Sequence, residues 1–393
     1  MAFVKPVKRW WPGVALVCAV FACGADTRDD VVERGEWTRI PDLPLDGRVE
    51  ANIVRVGDEI VVFGGTDFTC PPNADCEYGE TVVFTDGAAF SRPTSRWRRI
   101  ASSPVPTLAA DTAVIGSSVF VLTRGREDDA RSLMSYDVGA DRWAGIESPD
   151  DIAPYGAQSI AAVGDGLVLY STTDEFGASP DWQFNPSDGT WHELPDDPIG
   201  PSFDRTMVWN GVALYLFGKA LVPQPDGDDG PAFVRAARLR DGGWTDLGAS
   251  DSIGPAPTLV AGSRLIAPVL GCTDGGQVNN FGRCIPYGSV LDTAADAWGA
   301  LPRIVTPAGT DEVSFGGWSD SDMVGGSHNG GLFLDAQNDQ WVVLPALDPV
   351  TDPSSPNFVE RQVVAIGDAL MVVGGTARDS GQRIINDAYL WAP

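Results

Sequence analysis

The sequence predicts an all-β chain folded as a seven-bladed β-propeller, a ring of seven small sheets closed by its own N-terminal strand. Seven tryptophans recur at near-constant spacing: Trp37, Trp97, Trp143, Trp191, Trp244, Trp298 and Trp341, in steps of 60, 46, 48, 53, 54 and 43 residues. Each interval holds two short apolar strands about a tight turn, then a second hairpin whose last strand carries the tryptophan. No helical periodicity runs through any interval, and 45 glycines and 30 prolines in 393 residues suit a fold rich in turns. A unit of about 50 residues that cannot bury both its faces alone must stack on its neighbours, and a ring lets every unit do so.

The elements follow in chain order. Lys5, Lys8 and Arg9 precede an apolar stretch from Trp10 to Cys23, too short to span a membrane comfortably. This gives residues 1–23 as a signal peptide, 24–35 as a polar, acidic tether and 36–393 as the ring. Val20-Phe21-Ala22-Cys23-Gly24 resembles a bacterial lipoprotein cleavage box, with Val and Ala at the usual positions and an unusual Phe between them. That resemblance implies lipidation at Cys23; signal cleavage near Ala25 is the alternative. Trp37-Thr38-Arg39-Ile40-Pro41 follows with no blade in front of it.

The first full unit reads Ile53-Val54-Arg55-Val56, a Gly57-Asp58 turn, then Ile60-Val61-Val62-Phe63-Gly64-Gly65. The turn returns as Gly116-Ser117, Gly164-Asp165, Asn210-Gly211, Gly262-Ser263 and Gly367-Asp368, where two-residue hairpins demand positive φ. The stretch Trp318 to Met323 departs from it with Ser-Asp-Ser-Asp. Second strands fall at 60–65, 119–124, 167–172, 212–218, 265–271, 323–327 and 370–375. A third strand from Ile385 to Trp391 ends the chain without a fourth, so the N-terminal strand should complete that last blade. Closure hides edges that would otherwise pair with other chains. Six blades with a distorted remainder is the alternative count.

Within the second hairpins, Tyr136-Asp137 leads to Trp143, Phe184-Asn185 to Trp191-His192-Glu193-Leu194-Pro195, and Leu334-Asp335 to Trp341-Val342-Val343-Leu344-Pro345. With the double glycines at 64–65, 325–326 and 374–375, these units resemble the kelch repeat of the galactose oxidase-like β-propeller superfamily, over about residues 37 to 393. The repeat tryptophans read as blade-to-blade packing; Trp182, Trp209 and Trp318 lie off the register.

Four cysteines remain after the leader, and an exported chain with an even number of locally placed cysteines reads as disulfide-bonded. Cys70 with Cys76, and Cys272 with Cys284, would clasp equivalent loops after a second strand, each contributing roughly 2–3 kcal/mol by loop closure. Neither pair has zinc-site spacing, and Asp226 to Gly230 lacks the spacing and distal Glu of an EF-hand.

The chain carries 54 acidic and 27 basic residues, and removing Lys5, Lys8 and Arg9 takes the formal charge from −27 to −30. Such a surface repels nucleic acid and anionic lipid headgroups and favours a basic partner. Strand alternation puts the short first–second turns on one face. The long loops 66–80, 219–232 and 272–288, with links 146–157, 195–204 and 345–359, lie on the other, where function is expected. Candidate ligand contacts on that side are Arg48, Arg205, Arg361, Asp204, Asp311 and Tyr155, with Glu312 and Glu360 at comparable stations. Arg361 has the opposite strand parity to the other two arginines.

The resemblance brings catalysis into view, since kelch propellers include a copper oxidase and a sialic acid epimerase. Copper chemistry of that kind needs two histidines, two tyrosines and a cross-linked cysteine. This chain has only His192 and His328, and no mature cysteine outside the two pairs. The expectation is therefore a non-catalytic binding or scaffolding propeller without cofactor or metal. It is exported, lipid-anchored to the bacterial envelope, and binds an extracellular protein or glycan on its long-loop face. The alternatives are a secreted soluble protein, and a carbohydrate-active enzyme of the epimerase or sialidase kind with an axial arginine pocket.

Overall fold

The computed structural model describes residues 32–68, 81–123, 131–149, 157–175, 177–221, 233–250, 256–267, 289–301, 318–320, 323–325, 332–335, 340–345, 347, 361–366, 369–379 and 381–393. These residues form an all-β propeller with no helix among them. Residues 31–393 make one compact unit.

Five successive antiparallel four-stranded meanders come first. Blade I runs Asn52–Val56, Glu59–Phe63, Gly87–Ser91 and Arg96–Ile100, and blade II Asp111–Ile115, Ser118–Leu122, Leu133–Asp137 and Arg142–Ile146. Blade III is Gln158–Val163, Gly166–Ser171, Trp182–Asn185 and Thr190–Glu193. Blade IV is Ser202–Trp209, Leu214–Ala220, Arg235–Arg240 and Gly243–Ala249, and blade V Leu259–Ala261, Arg264–Ala267, Ser289–Asp292 and Ala297–Ala300. A sixth four-stranded sheet, the closing blade, orders Gln362–Ile366, Ala369–Val373, Ala388–Ala392 and the N-terminal Glu36–Ile40. Among the described residues, six regular four-stranded blades are present instead of the seven expected, which is the alternative count of six with a distorted remainder. The remaining unit is a five-stranded sheet with inner strands of only three residues, Trp318–Asp320 and Met323–Gly325. It coincides with the stretch where the glycine turn is replaced by Ser-Asp-Ser-Asp. Second strands begin within two residues of their expected starts throughout.

The second strands hold the core because both their faces are covered. Ile60, Val61, Val62 and Phe63 are all fully buried, but alternate residues go to different neighbours. Ile60 and Val62 pack with Met371 and Val373 of the closing blade. Val61 and Phe63 pack with Val119 and Val121 of blade II. Blade III divides in the same way, Leu167 and Leu169 toward blade II and Val168 and Tyr170 toward blade IV. Each fully buried aliphatic contributes roughly 1.5–3 kcal/mol, so a blade without neighbours would forfeit most of its stability.

The tryptophans add a polar staple to this packing. Trp97 Nε1 donates to the carbonyl of Pro41 at 2.7 Å, Trp143 to Ala101 at 2.8 Å, Trp191 to Glu147 at 2.9 Å and Trp244 to Pro195 at 2.8 Å. Trp37 donates to Pro345 at 2.7 Å. In every case the acceptor lies four residues beyond the tryptophan of the preceding unit. Three of the acceptors are prolines, which have no N–H to place in a ladder. Trp298 breaks the rule: its buried Nε1 finds no acceptor among the described residues. The carbonyl it would meet is that of Gly248, which stands at φ 75° inside the register shift of blade IV.

The N-terminal segment latches two sheets. Glu36–Ile40 pairs antiparallel with Ala388–Ala392, with Trp37 opposite Trp391. Just before it, Val32–Glu33 pairs parallel with the outer strand of the five-stranded sheet, Val32 opposite Val342. Trp391 Nε1 donates to the Arg34 carbonyl at 3.0 Å, and the Asn386 amide donates to the carbonyls of Leu43 and Leu45. The described residues add two elements absent from the sequence reading: the Val32–Glu33 strand, inside the segment expected to be a tether, and a hairpin of Thr376–Asp379 and Gly381–Ile384 inserted in the closing blade.

Candidate functional site

Because each inner strand runs from the long-connection face toward a tight turn, residues at its head gather around the axis on that face. In blades II to V these heads are polar, and they enclose a cavity of about 480 Å³. Asp111 and Gln158 open the inner strands of blades II and III, with Ser159 next to Gln158. Thr206 lies on the inner strand of blade IV, and Thr258 directly precedes that of blade V. Arg131, Tyr170, Thr172 and Arg205 complete the wall. Among the described residues, no aliphatic side chain lines it. The volume falls within the range of small-ligand pockets, roughly 300–1,000 Å³.

Tyr170 is buried beneath the cavity, with its hydroxyl bonded to the Ser159 side chain and the Met207 backbone. Burial pushes its phenol up from the ordinary value, so it acts as a neutral hydroxyl. Arg131 donates Nη1 to the Gln158 carbonyl at 2.5 Å, tying the third strand of blade II to the head of blade III. The cavity therefore presents hydroxyls and an amide held by neighbouring blades.

Arg205 has a different task. The pairing of blade IV shifts register between Phe203 and Thr206, with Asp204 at φ 50°. This bulge turns Arg205 back toward blade III. Its Nε donates to the Ser171 carbonyl at 3.0 Å, Nη1 to Ser202 Oγ at 3.0 Å and Asp197 Oδ2 at 3.2 Å. Nη2 donates to Asp181 Oδ2 at 2.9 Å and to Asp197 Oδ2 at 3.2 Å. A guanidinium has five N–H donors, and all five are engaged by the protein. Asp174 lies 3.6 Å from the same group, so three almost buried carboxylates surround one cation. Burial raises the Asp181 carboxyl to about 6, with Arg205 opposing that rise.

Arg48 and Arg361 sit at one structural station in two other blades, despite their opposite parity in the sequence. Arg48 Nη1 donates to the Gly64 carbonyl and to Asp86 Oδ1, both at 2.9 Å. Arg361 Nη1 donates to the Gly374 carbonyl at 3.1 Å and Asp387 Oδ1 at 2.7 Å. The bend through Glu50, at φ 53°, and the Val49–Thr66 bridge take up the parity difference. The double glycines explain themselves here. Gly65 N donates to Thr107 O of the next blade at 2.8 Å, and Gly375 N to Arg48 O at 3.1 Å. A Cβ on Gly64 would overlap the Thr107 side chain.

The three arginines thus bond in three separate places; of them, only Arg205 borders the axial cavity. Asp204 is exposed on the bulge and pairs with Lys219 Nζ at 3.0 Å. Asp311, Tyr155, Glu312, Glu360, Cys23, Cys70, Cys76, Cys272, Cys284 and His328 lie outside the described residues, while His192 is exposed on the outer strand of blade III. The cavity-lining Gln158, Ser159, Thr206 and Thr258 escape a sequence reading that looks for charge, and Asp111 is one carboxylate among 54 acidic residues. Their signal is a polar residue at the head of each inner strand, where the apolar run has not begun.

No protein-family model matches the chain, and no curated protein matches it in sequence. Among solved structures, the one titled "Structure of YjhT" is similar to this chain at 12% identity, covering 89% of this chain and 96% of that one, with a TM-score of 0.47.

Proposed function

We propose that this chain is an exported, lipid-anchored binding propeller of kelch type, with seven units in the ring, whose ligand site is the axial cavity on the long-loop face. The observation that carries this reading is the cavity itself: about 480 Å³, its described lining residues all polar and contributed from four successive blades. Hydroxyl and amide groups fixed on rigid strands suit recognition of a hydrogen-bonding ligand with little reorganisation on binding. Of the two partner classes expected from the sequence, a glycan fits such a cavity better than a protein surface does. Asp204, Tyr155 and Asp311 remain candidate ligand contacts in this reading, and the pairs Cys70–Cys76 and Cys272–Cys284 remain proposed clasps of long loops.

The enzymatic alternative relies on arginines clamping a sugar carboxylate. Arg205 has no donor left for that task, and Arg48 and Arg361 bond inside blade I and the closing blade. The binding reading is tested by filling the cavity. Thr206→Phe should abolish capture of glycans on an array that the unmodified protein binds, with the thermal midpoint kept. Unchanged capture by the folded variant would place the site elsewhere. Membrane release of Cys23→Ala tests the anchor in the same preparations; a variant that stays bound rules it out.

A further inference from the structure

The electrostatics of the cavity wall narrow the ligand further. We infer that the axial cavity takes a non-acidic polyhydroxylated ligand, a neutral or amino sugar, and excludes sugars bearing carboxylate, phosphate or sulfate groups. This rests on the binding reading above.

Arginine at a pocket wall ordinarily signals an anionic ligand, because its fork matches a carboxylate. Here that signal is cancelled from behind. All five N–H groups of Arg205 are engaged by Ser171, Ser202, Asp181 and Asp197, and Asp174 approaches to 3.6 Å. One cation among three carboxylates leaves a formal charge of −2 when all are ionised. The carboxylates are shielded from solvent, with side-chain exposures of 7%, 10% and 12%, so water screens them poorly. An acidic ligand over Arg205 would meet net negative charge with no free N–H of that guanidinium to offset it.

The remaining wall favours hydroxyls. Ser159, Thr172, Thr206 and Thr258 each donate and accept, as sugar hydroxyls do, and the neutral Tyr170 phenol orders Ser159 from below. Asp111 and Arg131 add one formal charge of each sign to the wall, and the Nη1 of Arg131 donates to the Gln158 carbonyl, so the excess of carboxylates around Arg205 remains. A chain with formal charge −27 adds long-range repulsion of anions.

The test is calorimetric titration of the full chain with matched sugars: glucose and galactose, glucosamine and galactosamine, glucuronate and galacturonate. Like-charge repulsion should make each uronate bind about tenfold or more weakly than its neutral parent. Added salt should narrow that gap. The double variant Asp181→Asn/Asp197→Asn, which removes two charges and keeps acceptors for Arg205, should raise uronate affinity several-fold and leave glucose unchanged. If that variant does not fold, the salt dependence on the unmodified protein decides alone. Uronates binding as tightly as neutral sugars would overturn the inference and leave the binding reading standing. Binding of none of the six sugars would overturn both.

Discussion

Trp143→Phe and Trp298→Phe remove the same indole from equivalent positions, and the structure assigns them different costs. Trp143 donates to the Ala101 carbonyl at 2.8 Å, joining blade II to blade I, and packs on Phe63 and Tyr136. Trp298 packs comparably on Phe217 of blade IV, but its Nε1 has no acceptor among the described residues. Phenylalanine keeps much of the aromatic contact at both sites, so the loss of ring area largely cancels between them. What remains at Trp143 is one hydrogen bond and a half-buried carbonyl left without its donor, together about 1–2 kcal/mol. At Trp298 the substitution removes a buried donor that is already unsatisfied, which is neutral or slightly stabilising. Urea denaturation followed by far-ultraviolet circular dichroism, rather than by tryptophan fluorescence, should show a lower midpoint for Trp143→Phe at unchanged slope. Equal midpoints for the two variants would refute the staple as a source of stability.

Two further outcomes follow from the closure and the buried acids. Deleting residues 32–41 removes strands from both the closing blade and the five-stranded sheet, along with the Trp37 bond to Pro345. Losing several kcal/mol in this way should lower the thermal midpoint by roughly 10 °C or more, and an unchanged midpoint would show that the ring does not depend on its latch. Asp181, raised to about 6 from 3.8, holds its proton more tightly folded than unfolded. Its contribution is full below pH 3.8 and is lost as pH rises through 6, a change of about 3 kcal/mol. The stability difference between the unmodified protein and Asp181→Asn should therefore fall over pH 4–7; a difference independent of pH would mean that the carboxyl is not perturbed.

Much of the ring is legible in the chain because its determinants are periodic. A tryptophan, a turn glycine and a run such as Ile60 to Phe63 recur in every unit but the one at Trp318 to Met323, which lacks the glycine, so the second strands can be placed almost to the residue. The same regularity marks the staple, since Pro41, Pro195 and Pro345 stand at a fixed distance from their tryptophans. The site is harder to read because its determinants are not periodic. Arg205 resembles Arg48 in sequence, but a single bulge sends it across to blade III, and no residue pattern at Phe203 to Thr206 announces that shift. Asp111, Gln158 and Thr258 are separated by whole blades, and only the curvature of the ring brings them together. Parity misleads for Arg361, because the bend at Glu50 lets Arg48 reach the same station from further along the chain.

The most direct measurement is a crystal structure of the protein with the tightest-binding sugar of the panel. The account predicts density in the axial cavity, with ring hydroxyls within hydrogen-bond distance of Ser159, Thr206 and Gln158, and with Arg205 still bonded to Asp181 and Asp197. Sugar density at the outer strands or on the short-turn face would contradict it, as would Arg205 swung away from its aspartates onto the ligand.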